Sequence, residues 1–277
     1  MIRLAPLLHY HTPLVQGVCA ADPAGTITIQ RLVDGAGTAQ IDAPSGVLWG
    51  TVSEQGSALP PESVFWIGYS VTPLTPSLNG VADVASLLNR RGRYPCSLVG
   101  HREPVLDVYR RLVWGPPRGV RPHQPLLVAC EQPDVDEIPV RVARTDEYTQ
   151  VYDASVAMFK EEVGFSPEQP NPSGYRARVR SLLTGGHTLV LSDGNTLIFK
   201  ADLGVISSRA VQVQGVWVHP AYRGQGIASR AMVSVTRHAL AYAPTVSLYV
   251  NSFNTSALGA YARAGYRQIG EFATVMY

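Results

Sequence analysis

The segment Val216-Trp217-Val218-His219-Pro220-Ala221-Tyr222-Arg223-Gly224-Gln225-Gly226-Ile227-Ala228 decides the fold. It reads as a strand that stops at His219-Pro220, a basic turn with two glycines, and the start of a helix. Gly224 and Gly226 have no β-carbon, so the backbone can bend sharply and bring its amides against a ligand. The first amides of a helix have no partner within it and lie at the positive end of its dipole, which suits a phosphate. Arg223 adds a full positive charge. Two glycines alone describe many loops, so the flanks carry the weight. Upstream, Val211-Gln212-Val213-Gln214-Gly215 alternates apolar and polar as a strand does. Downstream, Ile227, Ala231, Val235 and Ala239 recur every four residues, with Arg230, Ser234, Arg237 and His238 on other faces of an amphipathic helix.

This pattern resembles the pyrophosphate-binding motif of the GNAT (Gcn5-related) N-acetyltransferase superfamily, in which Arg or Gln is followed after two residues by Gly and, one residue later, by Gly or Ala. Arg223, Gly226 and Ala228 match it in position. The dinucleotide fingerprint spaces its glycines differently and needs a later acidic residue, and a phosphate loop of the Walker type needs Gly-Lys-Ser/Thr; neither fits. The next expected strand is Val246–Val250 and the next helix starts at Asn254, running to the Gly265-Tyr266 pair. The resemblance implies an α+β fold on a mixed sheet that binds acetyl-CoA. Its coenzyme contacts would be Val216, Trp217, Val218, Arg223, Gly224, Gln225, Gly226, Ile227, Ala228 and Ser229, with Asn254 on the pantetheine arm and Tyr261 near the sulfur. Asn254 also reads as a helix N-cap, and Tyr261, three residues after Leu258, also reads as a core aromatic.

Under the resemblance, the amine attacks the thioester directly, a backbone amide near Val216 or Val218 meets the oxyanion, and Tyr261 protonates the departing thiolate. The strand position where many relatives carry a Glu base holds Gln212, which cannot take a proton. Two other carboxylates stand out. In Met158-Phe159-Lys160-Glu161-Glu162-Val163-Gly164, Gly164 reads as a C-cap, which puts Glu161 and Glu162 at the helix end where the macrodipole disfavours negative charge. Either could receive a cationic amine, or both could be solvated charges. The loop after them, Phe165–Gly174, is stiffened by three prolines, Pro167, Pro170 and Pro172.

Composition bounds the other classes. The 277 residues, 45% hydrophobic, can bury one large core or two modest ones. A net charge of +2 does not imply nucleic-acid binding, and Arg176, Arg178 and Arg180 read as a solvated helix face. No apolar run approaches a membrane span, and the first ten residues, broken by Pro6, are too short a segment for a signal peptide, so a cytoplasmic location is expected. Cys19, Cys96 and Cys130 are odd in number and widely spaced, which predicts buried free thiols with no disulfide and no metal site.

The acidic, proline-bearing stretch 133–139 reads as a linker between an amino domain, 1–132, and a catalytic domain, 140–277. The carboxyl part should begin with a strand at Val140–Ala143 and a helix capped by Thr145 or Asp146. The amino half reads as a worn copy of the same plan. Val64–Pro73 parallels the strand ending at Pro220, and helix 81–89, strand 96–99 and helix 103–113 follow. Leu74-Thr75-Pro76-Ser77-Leu78-Asn79-Gly80 lacks the Arg and the paired glycines, so this half should not bind coenzyme. Tandem acetyltransferase folds with one inactive half are similar, mycothiol synthase among them. The whole chain also resembles a subfamily in which an uncharacterised (DUF4081-like) domain precedes a GNAT domain with Met-Phe-x-Glu-Glu-Val-Gly. The function implied is transfer of an acetyl group to a primary amine of a small molecule or a protein, by a monomer or homodimer. The alternative is a non-catalytic acyl-CoA sensor.

Overall fold

The structure, a computed structural model, describes residues 2–41, 46–53, 63–94, 96–169 and 171–277; Pro170 of the proline-rich loop lies outside the described residues. Two runs of elements follow one order. The first is β1 (Ile2–Pro6), α1 (Thr12–Ala21), α2 (Ile27–Ala36), β2 (Gly46–Ser53), β3 (Val64–Gly68), β4 (Ser70–Pro73), α3 (Val81–Arg91), β5 (Ser97–His101), α4 (Arg102–Arg111) and β6 (Gly119–Ala129). The second is β7 (Arg141–Val142), α5 (Tyr148–Val163), α6 (Ser173–Thr184), β8 (Thr188–Asp193), β9 (Thr196–Ile206), β10 (Ala210–Val218), α7 (Ile227–Leu240), β11 (Thr245–Tyr249), α8 (Thr255–Arg263) and β12 (Arg267–Met276). In each run four strands zigzag antiparallel and the fourth pairs parallel with the fifth through a helical crossover, α3 or α7.

At the centre the runs exchange strands. β12 pairs with β5 on one side and β6 on the other, and β6 pairs with β11, all antiparallel. One mixed sheet results, in the order β1-β2-β3-β4-β5-β12-β6-β11-β10-β9-β8-β7. Ala273, Val275 and Tyr277 of the carboxyl end therefore pack with Phe65 and Leu98 in the amino core. Leu127 and Ala129 of the amino half pack with Phe199 and Val246 in the carboxyl core. Pro125-Leu126-Leu127-Val128-Ala129 is a continuous apolar run because this strand is covered on both faces.

The carboxyl half has the expected element order. Ala231, Val235 and Ala239 of α7 are fully buried against the sheet. Ser234 is buried too, and accepts the Val140 amide at 3.1 Å. The stretch 133–139 is strapped along α7: Asp136 and Glu137 pair with Arg230 and Arg237, and the Ile138 amide donates to the Arg230 carbonyl.

Several expectations change. The run 64–73 is a hairpin, β3 and β4, not one strand; the reversal is at Gly68-Tyr69-Ser70, turn residues inside an apolar run, and Tyr69 is exposed there. Helix α5 begins after a 3-10 turn over Thr145–Glu147, so neither Thr145 nor Asp146 is its cap. Glu147 occupies that position, its carboxylate taken by the Arg144 amide and the Arg141 guanidinium. Cys130 is exposed, because it lies where the chain leaves the sheet; Cys19 and Cys96 are buried. The solvated face expected of Arg176, Arg178 and Arg180 holds, since all three are exposed; Arg176 and Arg180 lie over the Tyr152 and Tyr148 rings, and Arg178 donates to the Gly204 carbonyl at 2.8 Å. No described helix is long and apolar enough to cross a membrane.

Candidate active site

The cleft begins where two parallel strands part. β10 and β11 pair only over Ala210–Gln212 and Thr245–Ser247, although β10 runs on to Val218 and β11 to Tyr249. Past that point β10 carries a bulge against β9, with Gln214 opposite Asp202 and Trp217 opposite Lys200. Gly215 makes the bulge, at φ +60°, and a β-carbon there would lie 2.7 Å from Asp202 Oδ2 and 3.0 Å from Lys200 Nζ. Lys200, 1% exposed, donates to the Asp202 carboxylate and to the Gly215 carbonyl, holding the bulge from beneath. The His219 amide bonds the Ile198 carbonyl of β9. Alternation along the strand then turns the Val218 and Val216 amides away from β9, toward the gap.

The turn closes one end of the gap. Gly224 and Gly226 take left-handed φ of 78° and 73°, with nothing within 4 Å of a β-carbon at either. Their need for glycine is thus conformational. Gly226 is the N-cap of α7 and offers no side-chain cap, so the opening amides of α7 keep their donors for a ligand. Arg223 Nε donates to the Val218 carbonyl at 3.0 Å. Its Nη2 lies 2.9 Å from both carboxylate oxygens of Glu161. Gln225 turns away, its amide donating to the Ala221 carbonyl.

Helix α8 forms the opposite wall. Asn254 caps it, its side-chain oxygen accepting the Ala257 amide at 3.1 Å, and also lines the cleft. Tyr261 is buried, its ring 6.0 Å from that of Tyr266. Burial raises its pKa above the ordinary phenol value, and the Glu162 charge adds to the rise, so the phenol keeps its proton. These walls enclose about 450 Å³. Apart from Gln225, every coenzyme contact expected from the sequence lines this cleft, as do Glu161 and Glu162.

A second cavity of about 320 Å³ lies beyond Val216 and Tyr261 and shares both residues, with Met158, Glu162 and Asn251, with the first. Glu161 lines only the first cavity and Glu162 both, so the two carboxylates have different neighbours. Glu162 keeps surface open to the cleft, but the surrounding walls raise its pKa above the usual carboxylate value. Glu161 raises it further, and Arg121 and Lys200 oppose the rise. Gln212 is buried and accepts from the Gln214 amide at 2.6 Å; it lines neither cavity. Asp202 faces the second cavity but is tied to Lys200 and Thr188.

Arg121 and Gln124 of β6 and the exposed Phe253 at the cleft mouth were missed by sequence reasoning. The first two come from the other half of the chain and carry no local motif. Phe253 had a signal, a large aromatic directly before the capping Asn254.

Residues 150–266 match the acetyltransferase (GNAT) family model, and residues 46–151 match a domain of unknown function, DUF4081. The carboxyl half carries a GNAT-family domain. Solved structures resemble the whole chain in fold. A GNAT-family acetyltransferase from Colwellia psychrerythraea is 14% identical with a TM-score of 0.57, covering 99% of both chains. A GCN5-related N-acetyltransferase from Sphaerobacter thermophilus is 15% identical with a TM-score of 0.58, covering 100% of this chain and 95% of that one. A tandem GNAT protein from the clavulanic acid biosynthesis pathway is 13% identical with a TM-score of 0.54, covering 100% and 98%. Among curated proteins none matches the sequence. The tandem likeness fits the repeated element order of the two halves, with the GNAT domain as the second copy.

Proposed function

We propose that the chain is an acetyl-CoA-dependent N-acetyltransferase that acetylates a primary amine of a small molecule or protein. The observation that carries this reading is the convergence, on one gap between parted parallel strands, of a glycine turn with free helix amides and a buried phenol on the far wall. The residues fit the coenzyme: left-handed glycines and Arg223 for its pyrophosphate, the Val216–Val218 backbone and Asn254 for its pantetheine arm. Bound there, acetyl-CoA supplies an acyl group activated as a thioester. The Val216 or Val218 amide stabilises negative charge on the carbonyl oxygen. Glu162, facing both cavities with a raised pKa, takes the proton that the amine loses, and Tyr261 gives its proton to the departing sulfur as the C–N bond replaces C–S.

The amino half, residues 1–132, is proposed as the non-binding copy. Its parallel strands β4 and β5 pair only over Ser70–Val71 and Ser97–Leu98, but beyond that ladder they remain in contact: a β-carbon on Gly100 of β5 would lie 3.1 Å from the Pro73 carbonyl of β4, which leaves no room there for a pantetheine. One glycine of the turn survives, Gly80, the left-handed N-cap of α3, but a β-carbon there would lie 2.7 Å from Thr51, so packing fills its surroundings.

The sensor reading is favoured only by Gln212, which leaves β10 without a carboxylate in the acceptor cavity. Tyr261→Phe separates the two. The transferase reading expects kcat to fall, on the order of a hundredfold for a lost general acid, with acetyl-CoA affinity kept. Turnover equal to wild type would remove Tyr261 from the mechanism.

A further inference from the structure

The second cavity has an imbalance of charge that the transfer chemistry does not use. Arg121 reaches it from β6 and Arg178 from α6. Arg178 is docked on the Gly204 carbonyl and the Gln214 amide oxygen. Arg121 donates to one neutral group, the Glu162 main-chain carbonyl at 3.2 Å. Among the described residues no carboxylate lies within ion-pair distance of either guanidinium. Asp202, the other acid on these walls, is already neutralised by the buried Lys200. Two cations, the half-buried Arg121 and the exposed Arg178, thus face one free carboxylate, Glu162, across this cavity. A guanidinium that is partly shielded from water and bonded only to a neutral carbonyl, as Arg121 is, gains a charge-assisted bond when a ligand brings an anion.

The position of Arg121 narrows the ligand. Its guanidinium bonds the main chain of the residue whose side chain faces the reacting end of the cleft, so a group held by Arg121 sits within a few bonds of an amine at Glu162. A planar guanidinium fork matches a carboxylate. We propose that the acceptor is an amino acid or a similarly short zwitterion, its carboxylate received by Arg121 and its amine by Glu162. This rests on the transferase reading above and makes the amino half a contributor to acceptor choice, through a strand that the fold inserts into the other half's sheet. A lysine inside a folded protein carries no carboxylate at that distance.

The test is a set of initial-rate measurements with saturating acetyl-CoA. The common amino acids are compared with their decarboxylated amines, with phosphoethanolamine against ethylamine, and with a lysine-containing peptide blocked at both ends. The expected result is a kcat/KM for the preferred amino acid ten- to a hundredfold above its decarboxylated amine, the range for a charged hydrogen-bonded contact. Arg121→Gln should collapse that ratio toward one by raising KM, while its unchanged acetyl-CoA affinity shows that it folds. Equal rates with and without the carboxylate, preference for phosphoethanolamine or for the peptide, or an Arg121→Gln ratio like wild type would each overturn the assignment and leave the transferase standing. Binding of acetyl-CoA with no amine acetylated would sink the transferase reading itself, and this inference with it.

Discussion

Replacing Glu161 with Gln should tighten acetyl-CoA binding. Glu161 holds the Nη2 of Arg223, the guanidinium assigned to the pyrophosphate, and an arriving pyrophosphate has to take that donor from it. Both side chains are nearly half exposed, at 45% for Arg223 and 48% for Glu161, so the pair is worth only about 0.2–1 kcal/mol. The carboxylate also repels the phosphates: a like charge roughly 6 Å away in a water-like dielectric costs about 0.7 kcal/mol. Together these give about 0.9–1.7 kcal/mol, or roughly a five- to eighteenfold lower Kd in Glu161→Gln at low salt. In about 1 M salt, where the screening length falls to roughly 3 Å, most of that gain should vanish. Calorimetric titration at the two ionic strengths reads both effects. Unchanged or weaker binding at low salt would show that Glu161 does not compete for Arg223, and would put the phosphate role of Arg223 in doubt.

Two further outcomes follow from particular contacts. With Glu162 as the base, the acid limb of kcat/KM should lie above the ordinary carboxylate value of 4.5, because burial raises the pKa of this group, and Glu162→Gln should abolish the limb; a limb unchanged in that variant assigns the proton elsewhere. Val275, fully buried in the amino core although it lies in the last strand of the chain, should cost about 2 kcal/mol when cut to Ala, and fluorescence and circular dichroism should report one cooperative transition for both halves; two separate transitions would contradict the strand exchange.

The carboxyl half was legible because its signals are local. A glycine turn, a four-residue apolar spacing and an Asn cap each act within a few residues, and each lies where the sequence put it. The hairpin at Gly68-Tyr69-Ser70 was harder to read, since an apolar strand run and an apolar hairpin differ by only the residues at the bend. The exchange of β6 and β12 left no mark at all: a strand buried on both faces has the same composition whichever half it completes. For that reason Arg121 and Gln124 were invisible as site residues, being carried into the cleft by topology alone. The separation of Glu161 from Glu162 was likewise unreadable, because adjacent residues at a helix end point in directions set by their tertiary partners, Arg223 for one and the inner cavity for the other.

The role proposed for the turn at Arg223–Gly226 is to hold the coenzyme. It is tested most directly by titrating acetyl-CoA into wild type and into Gly226→Asp, which sets a carboxylate and a strained left-handed residue at the N-cap of α7. Roughly micromolar binding is expected of wild type, lost in the variant while its thermal unfolding stays cooperative. No binding by wild type, or equal binding by both, would contradict it.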